Sequence, residues 1–150
     1  MSRRRAVLLL AGLLGVVALA GAAQGADVAR TLRAVADDNC TNPRGNQGFC
    51  FDQERITIAP GDNLTITFEN PDDQPHNWCV RIGGTAHCAP GPELHRTINT
   101  GQTATVTINN IPAGQYRYFC NPHDGAGMEG QLVVQADGGG NGPPPPRDRT

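Results

Sequence analysis

The segment Tyr118-Phe119-Cys120-Asn121-Pro122-His123-Asp124-Gly125-Ala126-Gly127-Met128 contains the most informative spacing in this chain. A strand pattern ends on Cys120, a loop rich in proline and glycine presents His123, and Met128 comes where the next strand pattern begins. One tight loop therefore brings a thiol, an imidazole and a thioether together. A second imidazole is expected from outside the loop, and His76 offers it at the start of another predicted strand.

This set of side chains predicts a metal site and indicates which metal it binds. One thiolate and two imidazoles in a trigonal arrangement, with a weak axial methionine, are typical of a type 1 blue copper site. Zinc gains little from a thioether, and structural zinc sites usually contain paired cysteines. Methionine also fills gaps in cores, so Met128 is predicted by its position more than by its chemistry. The predicted ligands of one copper ion are His76, Cys120, His123 and Met128.

The other four cysteines form two local couples, Cys40 with Cys50 and Cys79 with Cys88. Each couple brackets a short polar segment with glycine or proline, so local disulfides are the preferred pairing, although four cysteines allow three pairings. Cys120 is then left alone. A lone thiol in a secreted protein is buried, cross-linked between chains, or committed to a metal or to catalysis.

The first 25 residues have the layout of a secretory signal peptide. Three arginines at positions 3–5 precede an apolar run over residues 6–20, and small residues follow. A retained N-terminal anchor helix is the alternative, and the export route, general or twin-arginine, stays open. The prediction is an extracytoplasmic protein, periplasmic, at the cell surface or secreted, with no membrane span in the mature chain.

The charge of the remaining chain bears on its partners. From Ala26 onward there are nine arginines and fourteen acidic residues, which gives a net charge of −5 with histidine neutral. An acidic, lysine-free domain lacks the basic surface that nucleic acid requires. We therefore expect no nucleic acid, and a neutral or cationic protein partner instead.

Short strands separated by glycine and proline turns are the main pattern after the leader. In residues 63–68, Leu64, Ile66 and Phe68 alternate with threonines. A weak helical period covers residues 28–35. The remaining predicted strands are residues 55–59, 77–82, 96–98, 103–108, 115–120 and 130–135. The pattern favours an all-β fold, an antiparallel sandwich or barrel.

The spacing Cys-x2-His-x4-Met, with a His76-Asn77 pair upstream, resembles the cupredoxin family, and the loop is similar to that of plastocyanins. The similarity runs from about residue 55 to residue 135. It implies a Greek-key β-sandwich in which His76, Cys120 and His123 are strong equatorial ligands and Met128 is the axial ligand. It also implies that Asn77 ties the two ligand-bearing loops together by hydrogen bonds.

The predicted organisation is a signal peptide (1–25), an N-terminal extension with the Cys40–Cys50 disulfide (26–54), a cupredoxin domain (55–136) and a Gly/Pro-rich flexible tail (137–150). The predicted function is transfer of single electrons between transient redox partners by a monomer. A copper carrier or buffer that delivers metal is the alternative. Since multi-copper enzymes are expected to need further histidines and only two are spare, no enzyme is predicted.

Overall fold

A computed structural model describes residues 25–35 and 40–136 of the chain. Short alternating segments dominate the sequence, and the described residues accordingly form strands. The nine strands are β1 (Asp27–Val35), β2 (Cys50–Phe51), β3 (Arg55–Ile58), β4 (Asn63–Asn70), β5 (Trp78–Ile82), β6 (Thr85–Ala89), β7 (Gln102–Ile108), β8 (Gly114–Phe119) and β9 (Glu129–Val134).

The strands form two sheets, with the orders β2-β1-β4-β7 and β3-β9-β8-β5-β6. The predicted all-β sandwich is thereby confirmed. The sheets are mixed, however, because β1 pairs with β4 in parallel and β3 pairs with β9 in parallel. Strands joined by a tight hairpin must be antiparallel, whereas these two pairs join segments that are distant along the chain.

The core between the sheets follows from the alternation seen in the sequence. In β4, Leu64, Ile66 and Phe68 are fully buried, while the threonines between them face outward and are half-buried. Larger side chains from the second sheet complete the core, with Trp78 and Tyr118 at 0% exposure. Their ring centroids lie 5.6 Å apart. This packing fixes the positions of β5 and β8, the strands next to the predicted ligands.

The segment with the weak helical period is a strand. Residues 27–33 pair in parallel with residues 63–69 of β4, and the burial pattern near the end of β1 alternates, with Leu32 and Ala34 buried. The weak helical period of residues 28–35 did not give a helix, because a short segment of mixed apolar and polar residues can fit either period and a neighbouring strand supplied the hydrogen bonds. Residues 26–54 thus contribute β1 and β2 to the sandwich rather than preceding it.

Two further differences concern the region after the first ligand. Residues 96–98 do not form a strand, and Ile98 makes only an isolated bridge to His76. Residues 85–89 form β6, which was not among the predicted strands. A two-glycine turn joins β5 to β6, with Gly83 and Gly84 at φ of 57° and 82°. Positive φ at both central positions is the requirement of a tight hairpin turn, and glycine meets it without strain.

Both disulfides join the predicted partners, Cys40 to Cys50 and Cys79 to Cys88. The predicted signal peptide, apart from its last residue, and the Gly/Pro-rich tail lie outside the described residues. Within residues 25–35 and 40–136 there is no helix with the length and apolar character needed to cross a membrane.

Gly130 allows a close approach between β8 and β9. It lies opposite Tyr118, and a β-carbon at this position would overlap the tyrosine ring. Tyr118 is fully buried and donates a hydrogen bond to the Gln53 carbonyl, so the ring has little freedom to move. We expect Gly130→Ala to lower the free energy of unfolding by about 1–3 kcal/mol through overpacking.

Urea denaturation measures this effect. Gly125→Ala is the matched control, since no atom lies within 4 Å of a β-carbon there. We expect Gly125→Ala, a change at the surface, to alter the free energy of unfolding by no more than about 0.5 kcal/mol. Equal effects of the two substitutions would contradict the overpacking argument.

Candidate metal centre

The loop over residues 120–128, called the ligand loop below, closes on itself by backbone hydrogen bonds. It begins directly after β8 ends at Phe119. The Cys120 N–H donates to the Met128 carbonyl at 3.0 Å, and the Met128 N–H donates to the His123 carbonyl at 3.2 Å. The His123 N–H donates to the Cys120 carbonyl at 3.1 Å. This local network, together with the turn residues Pro122 and Gly127, holds the loop in a fixed shape.

His76 reaches the ligand loop from the segment just before β5. Its backbone exchanges two hydrogen bonds with Ile98, at 3.1 Å and 2.8 Å. The side chain is fully buried. The proline before it and the strand after it leave the ring pointing into the protein rather than to solvent.

The donor atoms of three predicted residues converge. His76 Nδ1 and His123 Nδ1 each lie 3.5 Å from Cys120 Sγ, and the two nitrogens are 3.1 Å apart. Among the described residues, this is the one cluster of histidine, cysteine and acidic donors close enough to share a metal ion. Atoms this close can all bind one ion, because metal bonds to such donors are about 2.0–2.3 Å long in zinc sites.

Backbone hydrogen bonds to Cys120 and His123 hold Met128 beside these two residues. Its side chain is fully buried in the core cluster that also contains Cys120. A thioether there would suit a soft metal better than a hard one.

The electrostatics of the cluster suit metal binding. Burial lowers the pKa of His76, and burial together with the nearby His76 lowers the pKa of His123. Both imidazoles are therefore neutral at pH 7 and have lone pairs to offer. Burial raises the pKa of the Cys120 thiol to about 11. A metal cation displaces the thiol proton, so binding at neutral pH releases it.

Asn77 joins three segments around the cluster. It is fully buried, and its Oδ1 accepts a hydrogen bond from the Asn121 backbone N–H at 2.8 Å. Its Nδ2 donates to the carbonyls of Leu94 and Arg96, both at 2.7 Å. The expectation that Asn77 ties the two ligand-bearing loops together is confirmed.

Comparison with known proteins identifies the family. Residues 38–135 match the family model described as "Copper binding proteins, plastocyanin/azurin family". The chain belongs to the plastocyanin/azurin family of copper-binding proteins. The predicted cofactor, copper, is that of the family. The set of two imidazoles, one thiol and one thioether is compatible with copper; His76, Cys120 and Met128 are fully buried and His123 is half-buried. Membership in this blue copper family implies electron transfer.

Individual relatives agree with this assignment. "Plastocyanin A/B" of Petroselinum crispum is 35% identical over 92 residues, which cover 58% of this chain and 89% of that protein. "Plastocyanin" of Nostoc punctiforme is 34% identical over 95 residues, and the match covers 58% of this chain and 66% of that protein. Both of these relatives are plastocyanins by name.

Solved structures show the same fold. The blue copper protein auracyanin A of Chloroflexus aurantiacus superposes with a TM-score of 0.55 at 22% identity, covering 73% of this chain and 99% of that one. Oxidases and a nitrite reductase are also among the structural neighbours, at identities below 25%. At that identity the likeness concerns the fold alone, and the chemistry must be argued from this chain's own residues.

In this plastocyanin/azurin relative, the disulfide loop of residues 40–50, called the strap below, lies against the ligand loop. Asn42 and Asn46 both donate to the Ala126 carbonyl, at 2.8 Å and 3.1 Å. Arg44 bonds to Asp124 and to Glu129, at 3.1 Å and 2.7 Å. These contacts could not be predicted, because nothing in the local sequence pattern of the strap indicates what it packs against.

Phe49 of the strap stacks on a predicted ligand. Its ring centroid is 4.1 Å from that of His123, and the planes differ by 6°. Phe49 has a φ of 50°, a backbone conformation that residues other than glycine seldom adopt. The two disulfide-bonded cysteines and the polar contacts of the strap hold this conformation, so the strap restricts how far the His123 ring can move.

Removal of the Cys40–Cys50 disulfide tests this role of the strap. The double change Cys40→Ala with Cys50→Ala releases a closed loop of ten residues. We expect a loss of about 2–3 kcal/mol in the free energy of unfolding. Because Phe49 then restrains His123 less, we also expect copper affinity to fall about tenfold, as when contacts around metal ligands are removed.

The pair Cys79→Ala with Cys88→Ala is the matched control, because it opens a loop of similar length, with a sequence separation of 9 against 10. Strands β5 and β6 stay paired by their backbone hydrogen bonds. Urea denaturation and competition with a copper chelator measure both effects. Equal losses of copper affinity in the two pairs would show that the strap has no particular role.

Proposed function

We propose that His76, Cys120, His123 and Met128 bind a single type 1 copper ion, and that the protein carries one electron at a time between redox partners outside the cytoplasm. The main support for this proposal is that His76 Nδ1, His123 Nδ1 and Cys120 Sγ lie 3.1–3.5 Å from one another. These three residues would be the strong ligands, and the Met128 thioether would be a weak fourth ligand. When bound, copper supplies a one-electron change between Cu(II) and Cu(I).

The contribution of the protein is a site whose donors are held in place. Asn77 fixes the segments that carry His76 and Cys120, and the strap packs against His123. Side chains restrained by packing and hydrogen bonds move little when the charge of the site changes. A small rearrangement is what rapid electron transfer in both directions requires.

His123 is the ligand nearest to a partner. It is half-buried, whereas His76, Cys120 and Met128 are fully buried. Gly125, two residues after His123, is exposed, and Ala126 and Pro90 are partly exposed. These small and apolar residues form the proposed docking patch. A small patch of this composition suits the small, transient complexes that redox partners form.

The setting outside the cytoplasm is supported by the two disulfides. Disulfides persist in oxidising compartments and are rare in the cytosol. The pattern of residues 1–25, which predicts a secretory signal peptide, also supports this setting. The net charge of −5 from Ala26 onward favours neutral or cationic protein partners over nucleic acid. We further propose that the protein acts as a monomer and is not an enzyme.

Titration of the purified, leader-free protein with Cu(II) tests this proposal. One equivalent should produce an intense visible sulfur-to-copper charge-transfer band, and voltammetry should then give a reversible one-electron wave. A colourless protein, or one that prefers zinc, would overturn the copper site. A blue protein without a reversible wave, which passes its copper to a chelator readily, would indicate the copper carrier instead.

A further inference from the structure

The two ring nitrogens of His76 face different groups. Nδ1 lies among the donor atoms, 3.5 Å from Cys120 Sγ, and Nε2 lies 2.6 Å from Asp72 Oδ2. The His76 side chain is fully buried and that of Asp72 is 9% exposed. The imidazole is therefore held at one end by a carboxylate that is itself nearly out of contact with water.

The carboxylate of Asp72 is itself held in place by its neighbours. The Asp72 N–H donates to Asn70 Oδ1 at 3.1 Å, and Asp72 Oδ1 accepts from the Asp73 N–H at 2.7 Å. Asn70 is buried and donates to the carbonyls of Gln74 and Ile98, at 2.8 Å and 3.0 Å. The turn between β4 and His76 thus directs Asp72 Oδ2 at the imidazole.

We propose that Asp72 is a positioning residue that acts through His76, and that its negative charge lowers the reduction potential of the bound copper. It keeps the proton of His76 on Nε2, which leaves the Nδ1 lone pair for the metal. A carboxylate acceptor also makes the imidazole a stronger donor. The inference rests on the proposed function, because it concerns the same site.

The sign of the effect follows from the charges of the buried groups. Copper(II) with the Cys120 thiolate and the Asp72 carboxylate gives a total charge of zero. Addition of one electron leaves a net charge of −1 in a site where His76, Cys120 and Met128 are fully buried. A buried net charge is unfavourable. Asp72 therefore favours the oxidised state, and its neutralisation should favour the reduced state.

Asp72→Asn in the full copper-loaded protein tests the inference. The amide oxygen can still accept from Nε2, so we expect the visible band to remain. We expect the ratio of Cu(II) affinity to Cu(I) affinity to fall about tenfold, a typical effect for such a partner. A tenfold fall corresponds to a potential higher by about 59 mV for one electron.

Asp73→Asn is the matched control, since it removes the same charge one residue further along. Asp73 is exposed, and its carboxylate accepts from the Gln74 side chain at 3.2 Å rather than from a predicted ligand. We expect a clearly smaller shift of the potential. Equal potentials in the two variants, with the wild-type protein blue and reversible, would overturn the role of Asp72 and leave the proposed function intact.

A measurement on the wild-type protein keeps the inference testable should Asp72→Asn fold poorly. In the diamagnetic Cu(I) form, the Nε2 proton of His76 should give a downfield NMR resonance that exchanges slowly with water, because it is buried and bonded to Asp72. A resonance that exchanges rapidly, or a proton found on Nδ1, would overturn the inference. A wild-type protein that binds no copper would instead contradict the proposed function.

Discussion

Cys120→Ser is expected to abolish the visible charge-transfer band and the reversible one-electron wave completely. The band arises from the sulfur-to-copper bond, and a serine hydroxyl neither ionises near neutral pH nor offers a soft donor. Cys120 is the one free cysteine of the described residues, so the change leaves both disulfides untouched. Absorption spectroscopy after addition of one equivalent of Cu(II) measures the result.

Met128→Leu is the matched control for this prediction. It removes the thioether and keeps the thiolate and both imidazoles, and leucine fills a buried position of similar volume. The intense band should therefore persist in Met128→Leu. Survival of the band in Cys120→Ser would mean that another group binds the copper. Circular dichroism should show that both variants are folded before copper is added.

Asn77→Ala is expected to lower the free energy of unfolding by about 3 kcal/mol and to weaken copper binding. The substitution deprives the Asn121 N–H and the carbonyls of Leu94 and Arg96 of their partner at a fully buried site. Each buried polar group left without a partner costs about 1–3 kcal/mol where water cannot reach it. Urea denaturation of the metal-free protein measures the loss of stability.

Asn121→Ala provides the control for Asn77→Ala. Asn121 contributes its backbone N–H to Asn77, and an alanine keeps this donor. We therefore expect a much smaller loss of stability, within the range of about 0.5 kcal/mol typical of changes away from buried networks. A loss in Asn121→Ala as large as in Asn77→Ala would place the stabilisation in the ligand loop itself rather than in the Asn77 hydrogen bonds.

The candidate site was largely predictable because most of it is local in sequence. Cys120, His123 and Met128 lie within nine residues, and the turn residues between them leave few ways to close the loop. His76 was harder to predict, because its only local signals are the Asn77 that follows it and its position at the start of a predicted strand. Its partner Asp72 was missed, although it lies four residues earlier, because an exposed acidic turn and a buried carboxylate have the same sequence pattern.

The fold was predictable to a similar degree and for the same reason. Alternation in residues 63–68 is a short-range property, and β4 has the predicted pattern of burial. The parallel pairing of β1 with β4 joins residues 36 positions apart, and no local pattern encodes it. The segment of β1 was predicted as helical because its period is ambiguous until a neighbouring strand supplies hydrogen-bond partners.

Local patterns of residue type predicted the all-β class and the disulfide partners, and they indicated metal binding by the ligand loop. Each of these depends on residue types and spacings over about ten residues. The stacking of Phe49 on His123 and the hydrogen bond between Asp72 and His76 became visible in the folded protein alone. Such contacts depend on how separate segments pack, because the distances and burial that give them their energy exist only once the two sheets have come together.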